Sequence, residues 1–268
     1  MKDRRQLYND FLKAFPVESL KDMTLEQYTD LKKDNSFCYW LEAKTSELGS
    51  IWGGSSYKFG IYEYQKRPKV NDSRVISDEK YAWYSKYHKV TVKEAYDVVR
   101  EAIMKIALYA QQGKWNEIED VSELGHSYKW KIAFMYSSEQ LVPIYKKEML
   151  EQLALHFGMD NPAAKTYVEL QMFLMEKKEN KDLFDYYDEL LEILKQHKPQ
   201  VWRYAPGRNA SKWDTCLKNE VMSIGWEELN DLSLITTRED IRKALQDAYG
   251  KPDASLIKER FSYWDFVQ

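Results

Sequence analysis

Cysteine, histidine and long apolar runs are scarce in this chain of 268 residues. The two cysteines, Cys38 and Cys216, stand far apart, so the sequence indicates no disulfide framework. With only four scattered histidines, it indicates no four-ligand zinc site either. No apolar stretch approaches the roughly 20 residues that a membrane span needs, and no secretory signal follows Met1. We therefore expect a reduced, cytoplasmic protein with no membrane partner and no cofactor.

Motifs for catalysis are also missing. The glycine-rich passage at 49–60 lacks the G-x-x-x-x-G-K-[ST] spacing of a phosphate-binding loop, which argues against nucleotide hydrolysis. Glu42 and Lys44 have the E-x-K spacing of restriction nucleases, but the segment reads as a helix, whereas those enzymes need a further acid on a nearby strand to hold a metal. No Ser-His-Asp or Cys-His arrangement is suggested. The sequence thus predicts a protein that is not an enzyme.

The charges that are present are distributed unevenly, although the formal net charge is only −3. Residues 44–93 carry ten basic and five acidic side chains, whereas residues 145–195 carry seven basic and eleven acidic ones. Aromatic residues make up 15% of the chain, with 9 Trp, 20 Tyr and 10 Phe. Such rings serve a packed core or a surface that stacks on bases, and composition leaves both roles open.

Apolar periodicity and capping residues predict a mostly helical first part. The predicted elements are a helix ending at Pro16, short helices after Thr24 and Ser36, a strand at 61–64, a helix from Thr91 to about Gly113, a strand at 130–136, and helices at 148–157, after Asn161 and at 181–196. The polar, basic and aromatic stretch 65–89 shows no clear period and is predicted to be a long loop.

The character of the sequence changes at His197-Lys198-Pro199. We expect residues 1–197 to form a mainly helical domain with a small sheet, and residues 198–268 to form a second unit of short strands and helices. The fold class predicted from this pattern is α+β.

Two segments of the first domain are candidates for binding nucleic acid. The passage at 49–60 is either a helix C-cap followed by a turn, or a set of exposed N–H groups beside Lys58 that contact phosphate oxygens. The stretch 65–89 is either a solvated loop with some buried aromatic rings, or a phosphate-neutralising and stacking surface. Its cations are Lys66, Arg67, Lys69, Arg74, Lys80, Lys86 and Lys89, and its stacking candidates are Tyr81, Trp83, Tyr84 and Tyr87.

The second unit resembles the opening of an EVE-type domain, a member of the PUA-like group that includes YTH domains. The residues that carry the resemblance are Val201-Trp202-Arg203-Tyr204, Gly207, Trp213, Ile224-Gly225-Trp226 and Leu229-x-Asp231-Leu232. Members of this group are small β-barrels that hold a modified or flipped base in an aromatic pocket. The barrel-closing strands of the family do not follow here, so the resemblance implies an incomplete unit.

The resemblance implies roles for four residues of this unit. Trp202, Trp213 and Trp226 would be the pocket aromatics, and Asp231 would accept a hydrogen bond from a base amino group. The alternative is that at least one tryptophan belongs to the core and that Asp231 fixes a loop.

The first 195 residues are similar to regions that precede AAA+ motor domains in restriction systems of the McrB type. The matching residues are Ser36-Phe37-x-x-Trp40-Leu41-Glu42, the passage at 49–60 with Lys58-Phe59-Gly60, and Lys131-Ile132-Ala133-Phe134-Met135-Tyr136. Together the two resemblances imply a module that recognises modified DNA for an AAA+ NTPase outside this chain. A protein-interaction scaffold and an RNA-binding regulator are the alternatives.

Overall fold

The computed structural model describes residues 3–29, 35–53, 56–64, 73–196, 210–220, 240, 243–244 and 246–247. It divides the chain into two units, Met1–Lys198 and Pro199–Gln268. The described part of the first unit is mostly helical and contains one small antiparallel sheet, which confirms the α+β class at that level. The PUA-like nature of the second unit stays a prediction.

The secondary structure of the described residues is dominated by α-helices. Their bounds are α1 (Arg4–Ala14), α2 (Leu25–Tyr28), α3 (Phe37–Tyr39), α4 (Val92–Gln111), α5 (Trp115–Glu119), α6 (His126–Tyr136), α7 (Lys147–His156), α8 (Tyr167–Lys178), α9 (Leu183–Gln196) and, in the second unit, α10 (Trp213–Lys218). A π-helix covers Trp40–Lys44, and 3₁₀ turns cover Val17–Asp22, Ser46–Leu48, Ser56–Phe59, Ser85–Tyr87 and Pro162–Ala164.

The helix starts predicted from capping residues are confirmed where the cap bonds form. Thr91 accepts a hydrogen bond from the Glu94 amide, and the Glu94 carboxylate accepts one from the Thr91 amide. This reciprocal pair satisfies two N–H groups that a helix start otherwise leaves without partners. Thr24 and Gln27 form the same box ahead of α2, and the Ser36 hydroxyl caps α3.

The predicted strand at 130–136 is wrong, because this segment lies inside helix α6. Every residue of α6 from Tyr128 to Tyr136 is buried. A helix that is buried on all sides carries no amphipathic stripe, so its sequence lacks the 3.6-residue signal that would have identified it. It packs against α4, whose buried stripe includes Val99, Ile103 and Ile106, and the two helices form the centre of the core.

Within the described part of the predicted loop 65–89, a sheet forms instead. Strands β1 (Ile61–Glu63), β2 (Val75–Ser77) and β3 (Tyr81–Tyr84) are antiparallel in the order β1-β3-β2. The strand predicted at 61–64 is therefore confirmed, and its two partners were missed. Strands of three or four residues are too short to show a reliable alternation of apolar and polar residues.

The helix predicted after Asn161 is displaced in the structure. Asn161 adopts a left-handed backbone with φ 49° and its side chain caps nothing, so only a 3₁₀ turn follows. Helix α8 begins five residues further on, where Thr166 and Glu169 form a capping box. The capping box was the better start signal, because it satisfies two amide groups whereas a proline removes only one.

Candidate nucleic-acid interface

One face of the small sheet packs into the core, and the other is partly exposed to solvent. On the central strand, Trp83 is buried and lies opposite Ile61 on one neighbour and Ile76 on the other. Since side chains alternate along a strand, Tyr62 and Tyr84 belong to the other face. Both are half-buried, so each keeps part of its ring in contact with solvent.

Three tyrosines meet on this outer face. The ring of Tyr57, from the 3₁₀ turn that precedes β1, stacks on Tyr84 with centroids 5.5 Å apart and an interplanar angle of 18°. The same ring meets Tyr62 edge to face at 6.1 Å and 72°. Stacked and edge-to-face pairs at such distances are favourable arrangements of aromatic rings. We call Tyr57, Tyr62 and Tyr84 the tyrosine face.

Two exposed cations border the tyrosine face. The guanidinium carbon of Arg74 lies 5.2 Å from the ring centroid of Tyr57, and the ammonium of Lys86 lies 4.6 Å from that of Tyr84. These are cation–π distances. The amide of Ser85 donates to the Arg74 carbonyl at 2.9 Å, which fixes the backbone of Arg74 beside the end of β3.

The electrostatics of this cluster reflect its partial burial. Burial raises the pKa of Tyr84, while the charge of Arg74 acts to lower it. Burial lowers the pKa of Lys86, and the nearby Glu123 acts to raise it. The ammonium of Lys86 also donates to the Ser122 carbonyl at 2.5 Å. Lys86 is therefore held in place on the surface, with its side chain lying across the tyrosine ring.

The acidic groups of the sheet are engaged within the fold. The Asp78 carboxylate accepts hydrogen bonds from the amides of Lys80 and Tyr81. Glu63 lies 3.7 Å from the ammonium of Lys80. The Asp78 carboxylate thus fixes the turn between β2 and β3, and Glu63 lies beside Lys80 at the other end of the sheet from Tyr84.

Lys58 is placed differently from the other predicted cations. Its ammonium forms an ion pair with Glu42 and donates to the carbonyls of Ile51, at 2.7 Å, and Gly53, at 3.0 Å. These three acceptors take all three protons of an ammonium group. Lys58 thus holds the glycine-rich passage in shape and does not face solvent as a phosphate contact would.

The glycine-rich passage itself begins as the C-cap that one interpretation predicted. Gly49 ends the 3₁₀ turn Ser46–Leu48 with φ 86°. A Cβ atom there would lie 2.2 Å from the carbonyl oxygen of Pro143. Glycine is required at this position by both the left-handed backbone and the close contact.

The structure brings together only some of the predicted site residues. Arg74 and Lys86 meet at the tyrosine face, and Trp213 lies on α10 with 46% of its surface exposed. The remaining members of the predicted site lie outside the described residues: Lys66, Arg67, Lys69, Trp202, Trp226 and Asp231.

The tyrosine face differs from the stacking set expected from sequence. Of that set, Tyr81, Trp83 and Tyr87 are buried, and Tyr84 alone lies on the outer face. Tyr62 was missed, although its place next to a buried isoleucine on a predicted strand indicates an outward side chain. Tyr57 was also missed, and no local pattern marks it, because it reaches the sheet from a turn.

The E-x-K residues do not form a catalytic pair. Glu42 faces Lys58, whereas the ammonium of Lys44 donates to the Asn35 amide oxygen at 2.6 Å and lies 4.4 Å from the Trp40 ring centroid. The part of the chain that the structure describes contains no group of three His, Cys, Asp or Glu side chains placed to hold a metal ion.

Comparison of the chain with protein-family models, curated proteins and solved structures finds no match. The resemblances to EVE-type and McrB-type proteins therefore stay predictions. Among the described residues, no helix combines the length and the apolar character needed to cross a bilayer.

Proposed function

We propose that this chain binds nucleic acid without catalysing a reaction on it, and that the tyrosine face with Arg74 and Lys86 makes the contact. The observation that carries the proposal is the stacked pair of Tyr57 and Tyr84, bordered on each side by an exposed cation. Aromatic rings and cations in one small area match the two parts of a polynucleotide, its flat bases and its phosphates.

The two kinds of side chain contribute different parts of the binding energy. Stacking of one base on an aromatic side chain is worth about 1–3 kcal/mol and depends little on base identity. Arg74 and Lys86 would neutralise phosphates and release counterions, which gives affinity that falls as salt rises. The tyrosine face therefore supports binding with little sequence preference.

We further propose DNA as the target and an AAA+ restriction motor as the partner. Preference for a modified base would belong to the second unit, where Trp202, Trp213, Trp226 and Asp231 are the predicted pocket residues. In this arrangement the first unit supplies general affinity for the backbone, and the second supplies discrimination between bases.

The test is a titration of labelled duplex DNA with the wild-type chain and with the variants Arg74→Ala and Lys86→Ala. The anisotropy of the labelled DNA is measured at several salt concentrations. We expect each variant to bind more weakly and to reduce the slope of log affinity against log salt by about 1. Lys105→Ala is the matched control, because Lys105 is an exposed cation on α4. Equal affinities and slopes for all four proteins would contradict the proposal.

A protein-interaction scaffold is the second candidate, and one observation favours it. Trp213 and Leu217 lie one turn apart on α10 and expose 46% and 66% of their surfaces. Exposed large apolar side chains on one side of a helix are typical of a contact with a partner. If the chain is a scaffold, the DNA titration should show no salt-dependent binding. For the third alternative, an RNA-binding regulator, an RNA competitor should displace DNA efficiently.

A further inference from the structure

A cleft of ≈ 640 Å³ opens in the first unit beside the glycine-rich passage. We call it the Gly49 cleft, and its walls come from Gly49–Gly53, Lys58, the start of α6, the segment Pro143–Lys146, and side chains of α7 and α9. Sites for small molecules in proteins typically have volumes of roughly 300–1,000 Å³. The size of the cleft therefore suits a small ligand rather than a protein or a helix.

The fold holds the floor of the Gly49 cleft in a fixed shape. The buried ammonium of Lys131 donates to the carbonyls of Leu48 and Gly49, each at 2.8 Å. The Tyr145 hydroxyl donates to the same Leu48 carbonyl at 2.7 Å. A floor tied by these bonds needs little rearrangement to receive a ligand, which reduces the entropy cost of binding.

The charge of the walls favours an anion. Among the described residues, the titratable side chains that line the cleft are Lys58, Lys146, His126 and Tyr187, with no Asp or Glu. Lys58 is neutralised by Glu42, whereas Lys146 is exposed and forms no ion pair with any described residue. Burial lowers the pKa of His126, Lys129 lowers it further and Glu148 acts to raise it, so the imidazole adds no positive charge at neutral pH and Lys146 supplies that charge. Helices α6 and α7 both begin in this wall without a side-chain cap, and their N-terminal amides add to the positive potential.

The mouth of the cleft offers a flat aromatic surface. Trp52 exposes 73% of its surface, more than any other tryptophan among the described residues. Its amide donates to the Ser50 hydroxyl at 3.1 Å, which holds this turn. Tyr187, Met149 and Leu191 supply apolar surface within the same cleft. A ligand with one planar ring would cover indole surface that is otherwise left in water.

We propose that the Gly49 cleft is a site for a free nucleoside phosphate. The planar base packs against Trp52 and the apolar wall, and the phosphate meets Lys146 near Ser127 at the start of α6. Neither part of the cleft selects such a ligand alone, but together they require a flat ring joined to an anionic group. This site uses none of the tyrosine face and gives the protein a small-molecule ligand in addition to a polynucleotide.

The experiment is calorimetric titration of the full chain with AMP, adenosine and inorganic phosphate. We expect AMP to bind at least tenfold more tightly than either fragment, because only AMP fills both parts of the cleft. Trp52→Ala and Lys146→Ala should each weaken AMP binding at least tenfold. Tyr39→Ala and Lys147→Ala are the controls, since Tyr39 is an exposed aromatic residue of α3 and Lys147 pairs with Glu151 on α7.

Three results would overturn the proposal. They are the absence of binding by AMP, GMP, CMP and dTMP, equal binding by the cleft variants and the controls, and a requirement for Trp52 in binding DNA but not mononucleotides. The last would assign the cleft to a nucleotide within a strand. Arg74→Ala should leave AMP binding unchanged, so failure at the cleft remains distinguishable from failure at the tyrosine face.

Discussion

The ammonium of Lys131, in the middle of a buried helix, donates a hydrogen bond of 2.8 Å to the carbonyl oxygen of Gly49. The same group donates to Thr45 and Leu48 at 2.8 Å each. Burial lowers the pKa of Lys131, but three acceptors match its three protons. This one side chain joins α6 to the start of the glycine-rich passage and thus to the floor of the Gly49 cleft.

Replacing this lysine should destabilise the fold strongly. Lys131→Met keeps most of the buried volume but leaves three carbonyl oxygens without their donor, and we expect a loss of about 3 kcal/mol in the free energy of unfolding. Urea denaturation measures it. The control, Lys105→Met, changes an exposed lysine and should stay within about 0.5 kcal/mol of wild type. Equal stability of both variants would show that the hydrogen bonds of the Lys131 ammonium stabilise the fold by no more than its desolvation destabilises it.

Alanine substitutions at Gly60 and Gly53 distinguish the cost of a steric clash from the cost of backbone strain. Both have a left-handed backbone, with φ 75° and 91°. A Cβ at Gly60 would lie 2.2 Å from the Tyr87 hydroxyl, whereas at Gly53 it would meet nothing within 4 Å. Gly53→Ala should therefore cost about 1 kcal/mol, and Gly60→Ala about 1–3 kcal/mol more. Thermal unfolding of the two variants measures the difference, and equal losses would contradict the close contact at Gly60.

The buried tyrosines predict loss of stability at alkaline pH. Burial raises the pKa of Tyr8 and of Tyr187 to about 12, against about 10 for an unfolded tyrosine. The folded state keeps these protons where the unfolded state releases them. Their contribution is therefore complete below pH 10 and is lost as pH rises from about 10 to about 12. Lys131 has the opposite effect. Its lowered pKa makes the folded state bind fewer protons than the unfolded state below about pH 10.5, so its contribution to stability falls as pH falls.

Ultraviolet absorbance of tyrosinate checks this prediction. We expect the exposed rings to ionise near pH 10 and the buried ones only at higher pH, together with the loss of helical circular dichroism. Ionisation of all 20 tyrosines in one step near pH 10, with the helices intact, would contradict the burial described above.

The ring of Tyr84 should matter for DNA binding more than its hydroxyl. Tyr84→Phe keeps the surface that stacks on Tyr57 and should bind DNA within about twofold of wild type. Tyr84→Ala removes one stacking ring and the support for Tyr57, and should weaken binding by about 1–3 kcal/mol. Anisotropy at constant salt compares them. If the alanine variant binds as tightly as the phenylalanine variant, the tyrosine face is not the site of contact.

Sequence alone predicted the parts of the fold whose signals are local. The cap at Thr91 and the apolar stripe of α4 lie within a few residues of one another, so the helix was readable. Helix α6 could not be predicted in this way, because its burial on all sides depends on α1, α4 and the π-helix, which pack around it from elsewhere in the chain. The burial of Lys131 could not be predicted from the sequence either, since its acceptors lie more than 80 residues away.

The candidate site shows the same limit. The basic and aromatic composition of residues 65–89 pointed to Arg74, Lys86 and Tyr84, and the structure places these three together. Sequence could not say that Trp83 faces the core, because the short strand β3 shows no clear alternation. The sequence also gave no sign of Tyr57, because Tyr57 and Tyr84 are far apart in the chain and meet only when the sheet forms.

Ultraviolet cross-linking of duplex DNA to the full chain, followed by mass spectrometry of the attached peptides, shows whether the tyrosine face touches DNA. We expect cross-links in two peptides, one that contains Tyr57 and Tyr62 and one that contains Tyr84 and Lys86. These cross-links should disappear in the double variant Tyr57→Ala, Tyr84→Ala. Cross-links confined to other parts of the chain, or unchanged in the double variant, would contradict the proposal.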